Sequence, residues 1–463
     1  MGKLNNGICK KILLSMPKGC IILPTPVLRG RIDVMNSVIQ TQLMPGVQLT
    51  AVHTRKFKSS YFGVAMLVPL EKEHAAQHAL LPMVLRRGSA DHPDMQSVAA
   101  ALDDLYGGAV EPLVTKKGET QCIGFTASFL DDAYALAGED ILTPAARLLG
   151  ELLLHPYTEM GVFSQEYVRG ERSNLIDRIR SAMNDKRQYS MLRLGQEMCA
   201  YEAFGVSKYG DESRAAAITP ESLWERYQTL LSTARIELFY CGSAQPERVQ
   251  KALMDAFADL PVNEQRLLPD CEIRITAPEQ PNVVEESLDV TQGKLAMGFR
   301  TGGLSVWDEE YPALMLLNAV FGGTSMSKLF MNVRERLSLC YFASSGLEKM
   351  KGLMLVSSGI EFDKYQQARD EILAQLEACR RGEITPDELE GARRIVINSL
   401  HTTLDSQSRM ADYWLGQAAA DLTETPEQLA QRLEQVTAEQ IAHVARSVCL
   451  DTVYFLKGKE EMG

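Results

Sequence analysis

Two hydrophobic rhythms alternate along the chain. Short apolar runs predict strands over Ile39–Leu43, Val47–His53 and Tyr61–Leu70, the first two joined by the turn dipeptide Pro45-Gly46. Apolar residues at helical spacing predict helices over Asp94–Tyr106, Asp131–Leu154, Gly161–Asp185 and Tyr189–Glu202. Gly107-Gly108 closes the first of these where a left-handed cap favours glycine. Two further strands flank the Lys116-Lys117-Gly118 turn. Thr219-Pro220-Glu221 opens a helix with a capping hydroxyl followed by proline, and Arg235–Cys241 reads as a strand ending at Gly242. Leucine and alanine stripes over Asp131–Leu154 and Asp363–Cys379 read as core faces.

The pattern then recurs. Leu105-Tyr106-Gly107-Gly108 returns as Val320-Phe321-Gly322-Gly323, 215 positions on. Ile218-Thr219-Pro220-Glu221 returns as Val436-Thr437-Ala438-Glu439 after 218, and Phe239-Tyr240-Cys241-Gly242 as Phe455-Leu456-Lys457-Gly458 after 216. Nearly equal offsets in one order imply two copies of a single α+β unit of about 215 residues. Between them Pro261 to Pro281 holds four prolines among polar residues, a linker composition. The expected organisation is therefore an N-terminal extension at 1–37, a first half at 38–260, a linker at 261–282 and a second half at 283–463.

Composition narrows the function classes. A chain of 463 residues is too long for one core. A net charge of -12 argues against nucleic acid and anionic membrane surfaces as partners. Nine cysteines without a C-x-x-C pair read as reduced thiols of a cytoplasmic protein. No apolar run reaches the ~18 residues of a membrane span. The apolar run at Ile12-Leu13-Leu14 is cut short by Pro17-Lys18-Gly19, so residues 1–34 read as a poorly ordered extension, with Met35 an alternative start. Phosphate-loop spacing is absent around Gly322-Gly323, as is a G-x-S-x-G nucleophile elbow anywhere.

The most informative stretch is Glu71–Ser89, where a strand hands over to a helix. His74 and His78 are four apart and share a helical face, with Gln77 between them. A zinc peptidase of the His-x-x-Glu-His type needs a carboxylate at that middle position to activate water. An amide has no useful basicity near neutral pH. On the residues alone, the pair is either a solvated helix start or two ligands of a metal site without an obvious third. Pro82 reads as a residue in the first turns of a helix that begins near Ala79.

Two α+β halves with such a strand-to-helix stretch in the first resemble the insulinase/pitrilysin family of zinc peptidases, the inverzincins, from about Val38 to the C-terminus. Family members follow His-x-x-Glu-His with a short apolar stretch and Gly-Thr, which Gly88-Ser89 matches. Counting back from there, the resemblance places Ala79, Pro82 and Met83 at the positions of the two histidines and the catalytic glutamate. The family's third ligand lies in a stretch matched by Glu171–Ile179; Glu171 is kept, but Arg178 stands at the ligand position. A guanidinium does not deprotonate in a protein and cannot replace a carboxylate on a cation.

The second half keeps what the first has lost. The family's R-E-x-x-G-L-x-Y stretch, whose arginine and tyrosine hold the substrate backbone, is matched by Arg334-Glu335-Arg336-Leu337-Ser338-Leu339-Cys340-Tyr341, departing at Ser338 and Cys340. A guanidinium fork and a phenol can both donate to a peptide carbonyl. The resemblance implies an α+β fold of two homologous halves, each a mostly antiparallel sheet packed on one side by long helices (LuxS/metallohydrolase-like, as in the mitochondrial processing peptidase). It further implies the non-catalytic subunit of a two-subunit bacterial peptidase. Such a chain binds no cofactor itself and has zinc on its partner. It pairs with a zinc-bearing homologue, binds peptide through Arg334 and Tyr341, and completes the partner's chamber. The alternatives are an autonomous zinc endopeptidase using His74 and His78, or a peptide-binding scaffold homodimer without hydrolysis.

Overall fold

A computed structural model describes residues 37–459 and the backbone of Ile21–Leu23. The strands are β1 (Ile21–Leu23), β2 (Ser37–Met44), β3 (Val47–His53), β4 (Ser59–Pro69), β5 (Ala109–Lys117), β6 (Thr120–Leu130) and the two-residue β7 (Thr158–Glu159) and β8 (Val162–Phe163). They continue with β9 (Arg235–Gly242), β10 (Asn282–Leu288), β11 (Gly293–Arg300), β12 (Cys340–Glu348), β13 (Leu353–Ile360) and β14 (Cys449–Gly458). The first large sheet runs β1-β2-β3-β9-β4-β6-β5, and the second β10-β14-β11-β13-β12.

The repeat is written in this topology. Within β3-β9-β4-β6-β5 the successive pairings are parallel, antiparallel, antiparallel and antiparallel. The second sheet repeats that sequence through β10-β14-β11-β13-β12. Two of the three sequence anchors fall on equivalent elements. Thr219 and Thr437 both close capping boxes on the helices Pro220–Thr233 and Ala438–Ser447, which lead into the equivalent strands β9 and β14. The glycine anchor is displaced. Val320–Gly323 follows the first helix after β11, Tyr311–Asn318, so its topological counterpart is Gly88-Ser89, after the helix Ala75–Leu85. Leu105–Gly108 sits one helix later, before the edge strand β5, and answers to Leu337–Leu339 before β12. Both of those connections pass through left-handed backbone, Tyr106 and Gly107 in one and Ser338 in the other.

Period-two alternation divides each sheet between two cores. On β4, Phe62, Val64, Met66 and Val68 enter the first core, while Ala65 and Leu67 on the other face join the second. The face that each sheet turns away from its own helices is covered by a helix of the other half. Gln407–Ala419 lays Met410 and Trp414 on Val52, Phe239 and Cys241 of the first sheet. Lys186–Met198 lays Leu194 on Ala296, Tyr454 and Leu456 of the second. The two halves thus exchange one helix each.

Other expectations are adjusted. The helix expected over Asp131–Leu154 begins only at Leu142. Asp131 accepts from the Ala133 N–H, Asp132 accepts from those of Ile141 and Leu142, and Ala137 and Gly138 are left-handed, so short 3-10 turns replace the first part. Residues 257–281 contain no helix or strand, yet they are pinned rather than free. Arg266 donates to the carbonyls of Ala234 and Pro261, at 2.7 Å each, and Cys271 to that of Met350. In the expected extension, Ile21–Leu23 pairs antiparallel with β2; the rest of residues 1–36, Met35 included, lies outside the described residues. No helix among the described residues is long and apolar enough to cross a membrane. The seven described cysteines are all unpaired.

Candidate functional site

The helix Ala75–Leu85 leaves β4 and runs through the first core. Buried residues occupy every side of it, as a helix enclosed by packing requires. Ala79, Pro82 and Met83 all face protein: Ala79 is fully buried and Met83 7 % exposed. An alanine methyl, a pyrrolidine ring and a thioether flanked by leucines offer no ligand set for zinc and no base. Pro82 lies inside the helix, not in the first turns of one beginning at Ala79, and gives the His78 carbonyl no helical N–H to accept. Its ring fills core volume that another side chain would occupy.

Only one of the two histidines is a solvated helix start. His74, at the N-cap, is partly exposed and bonds Gln77 Oε1 at 3.2 Å. His78 is fully buried. Arg226 Nε donates to its Nε2 at 2.8 Å, which fixes the remaining proton on Nδ1, where it is donated to Gln121 Oε1 at 2.9 Å. Burial first, then the Arg226 charge, push this imidazole down to about 3. A ring with both nitrogens engaged has no lone pair for a metal, so the pairing of His74 with His78 as ligands does not fit this geometry. Among the described residues no three His, Cys, Asp or Glu side chains converge as a metal-binding group. Neither partner of His78 is visible from the sequence, since Gln121 and Arg226 lie 43 and 148 positions away.

The rest of the first-half register is structural. Gly88 is needed because a Cβ there would stand 2.5 Å from the Pro93 carbonyl oxygen. Ser89 is buried, donates to Glu151 and accepts the His92 N–H at 3.0 Å, while His92 Nδ1 lies 2.8 Å from the same carboxylate. Arg178 lies along the ring of Tyr209, its guanidinium carbon 5.5 Å from the ring centre. Glu171 is held by Arg87 at 3.4 Å.

The second-half pair is presented outward. Arg334 belongs to the π-helical segment Leu329–Arg336, a geometry that turns up preferentially at functional places. Its side chain is 42 % exposed, stacks 4.7 Å from the Phe330 ring centre, and has Glu335 as its ionic neighbour at 3.4 Å. Tyr341 is 62 % exposed and sits in a bulge of β12, where pairing with β13 skips from Cys340 to Phe342. A bulge re-aims a side chain off the strand's normal alternation. Burial pushes the Cys340 thiol up, opposed by a hydrogen bond with Ser358 and by the Arg334 charge.

Ser338 occupies the family's glycine position with φ of 49°. A left-handed serine is strained where glycine is not. Ser338→Gly is expected to raise stability by ~0.5–1 kcal/mol in urea denaturation; a loss of stability would show that the hydroxyl holds the loop.

Comparison with known proteins places this geometry among relatives. The family described as "Peptidase M16 inactive domain" matches residues 217–396. A "Probable inactive metalloprotease YmfF" of Bacillus subtilis is 36% identical over 416 residues, covering 90% of this chain and 96% of that protein. A conserved protein from Enterococcus faecalis superposes with a TM-score of 0.84 at 27% identity over 92% of this chain and 100% of its own. A protease from Helicobacter pylori has the same fold, with a TM-score of 0.74 at 15% identity, over 91% of this chain and 100% of its own.

Proposed function

The chain belongs to the insulinase/pitrilysin (M16) family of peptidases, and from that premise we propose that it is the non-catalytic subunit of a two-subunit peptidase. It pairs with a homologue carrying His-x-x-Glu-His, binds the peptide main chain through Arg334 and Tyr341, and forms half the wall of the reaction chamber. The observation that carries this reading is a contrast between the halves. Ala79, Pro82 and Met83, which the resemblance assigns to the family's zinc-binding helix, are core side chains, whereas the guanidinium and phenol of the second half stand at the surface with donors available. A group that only holds substrate near the scissile bond still accelerates cleavage, because positioning removes entropy from the reacting step. Zinc belongs to the partner in this scheme. A cytoplasmic setting suits the seven unpaired cysteines.

The test mixes this chain with a zinc-bearing homologue from the same genome and follows cleavage of a quenched-fluorescent peptide. Activity is expected in the mixture and not in this chain alone. Each of Arg334→Ala and Tyr341→Ala should lower the mixture's kcat/KM by ~10–100-fold, the worth of a hydrogen bond to a developing or polarised carbonyl. Unchanged kcat/KM in both variants would remove the clamp role. Cleavage by this chain alone that survives dialysis against a chelator would remove the need for a zinc-bearing partner.

A further inference from the structure

A cavity of about 240 Å³ lies where the helix Gln407–Ala419 crosses the outer face of the first sheet. Gly63 and Ala65 on β4, with Ala411 and Ala418 on the helix, leave this space unfilled, and Tyr61, Phe239 and Trp414 contribute aromatic walls. Two acids line the cavity, Asp412 on the helix and Glu237 on the sheet. Glu237 on β9 is 7 % exposed and lines the cavity. Its Oε1 accepts from Arg235 Nε at 2.7 Å. Its second oxygen accepts no hydrogen bond from a described residue, although the side chain lines the hollow. A buried polar atom without a partner costs free energy unless something supplies a donor.

The charges around it specify what that something is. Arg235 is shared between Glu237 and Asp421, the latter at 3.3 Å, and Lys117 pairs with Asp412, also a lining residue, at 2.6 Å. Lys349 also reaches this helix at Gly416 and its charge acts on Asp412, so Asp412 is compensated while Glu237 has only Arg235, which it shares with Asp421. We propose that this cavity binds a small organic cation: a protonated primary amine carried on an aromatic or branched aliphatic body of about ten non-hydrogen atoms. The ammonium donates to the second Glu237 oxygen, and the apolar body fills the space between Tyr61, Phe239 and Trp414, where π faces also attract a cation. Because one wall is the first sheet and the other a helix of the second half, the ligand ties the halves together.

Protonation adds a second signature. Burial first raises the Glu237 carboxyl to about 7, Arg235 works against this, and Asp421 adds to it. Tyr61 on β4 and Asp412 on the helix also line the cavity, the Glu237 charge acts on Cys122 of β6, and Lys117 and Lys349 act on Asp412. A bound ammonium holds Glu237 ionised, so uptake releases a proton and tightens as pH rises from 6 to 8.

Calorimetry and thermal melting of the full chain with phenethylamine, 2-phenylethanol and phenylacetate test the proposal. Phenethylamine is expected to raise Tm and to bind at least about tenfold more tightly than the alcohol, with phenylacetate weakest. Glu237→Gln, nearly isosteric, should keep its unliganded melt and erase the preference for amine over alcohol. Ala411→Leu, which fills the hollow and leaves the acid in place, should abolish both. Equal binding of amine and alcohol, phenethylamine binding unaltered by Glu237→Gln, or no binding of either compound would each overturn the assignment. These readouts involve no peptide hydrolysis, so they stand or fall apart from the subunit role.

Discussion

Lys351→Met is expected to remove ~3–5 kcal/mol of stability, measured by chemical denaturation at neutral pH. Lys351 is fully buried between the halves, 2.8 Å from Glu119 and 2.9 Å from Glu202, and also donates to the Glu272 carbonyl in the linker segment. Arg300, likewise fully buried, bonds Glu202 at 2.5 Å and Asp451 at 2.8 Å. Three acids thus share two cations in one water-poor network. Its members come from the β5–β6 hairpin, the segment after Lys186–Met198, the β12–β13 hairpin and the ends of β11 and β14. Burial favours the neutral amine of Lys351, but its two carboxylate partners win and its pKa moves above the usual lysine value. Deleting the ammonium leaves three carboxylates around one guanidinium, and the unpaired acid carries the cost. Adding Glu119→Gln to Lys351→Met restores the original net charge and should recover part of the loss. Equal stabilities for the single and double variants would show that shape, not charge, set the effect.

The second large effect is in acid. Stability is expected to fall by ~1.4 kcal/mol per pH unit from His78 alone as pH drops from about 6.5 towards about 3. The folded chain keeps this imidazole neutral through that window while the unfolded chain protonates it, so the unfolded state binds one more proton. Above pH 6.5 both states are neutral there and the contribution is flat. Glu202 adds to the loss at the acid end: burial works to raise its pKa, but Arg300 and Lys351 outweigh it and hold it below the usual glutamate value, so its contribution disappears as pH falls through that lowered range. Urea melts at pH 7, 6, 5 and 4, compared between the natural chain and His78→Gln, isolate the histidine. The variant should be less stable at pH 7, and its curve should be shallower by about one proton. Parallel slopes would mean that His78 is charged, and its bond from Arg226 would need another explanation.

Much of this was legible in the residues, and the failures have identifiable causes. The strand–turn–strand pattern around Pro45-Gly46, the capped helix at Thr219 and the equivalence of β9 with β14 were visible because each depends on local periodicity or capping chemistry. The glycine at 88 has a steric reason, since Pro93 leaves no room for a side chain beside it. The fate of His78 was hidden because its neighbours come from β6 and a distant helix. Aspartates beside Ala137-Gly138 unwound the start of an apparent helix that apolar spacing supported. The two-glycine match misled, since Leu105–Gly108 and Val320–Gly323 end successive helices of the unit rather than the same one. The outward turn of Tyr341 rests on an unpaired strand residue, which alternation alone does not reveal.

The reciprocal helices bear on the order in which the polypeptide matures during synthesis. When residue 260 leaves the ribosome, the first sheet has all its strands but not the cover over Val52, Phe239 and Cys241; that cover arrives some 150 residues later with Met410 and Trp414. Until then a newborn chain carries a bare apolar surface, the kind of intermediate on which chaperones act. The duplicated gene therefore encodes two domains in ancestry but one unit in biogenesis.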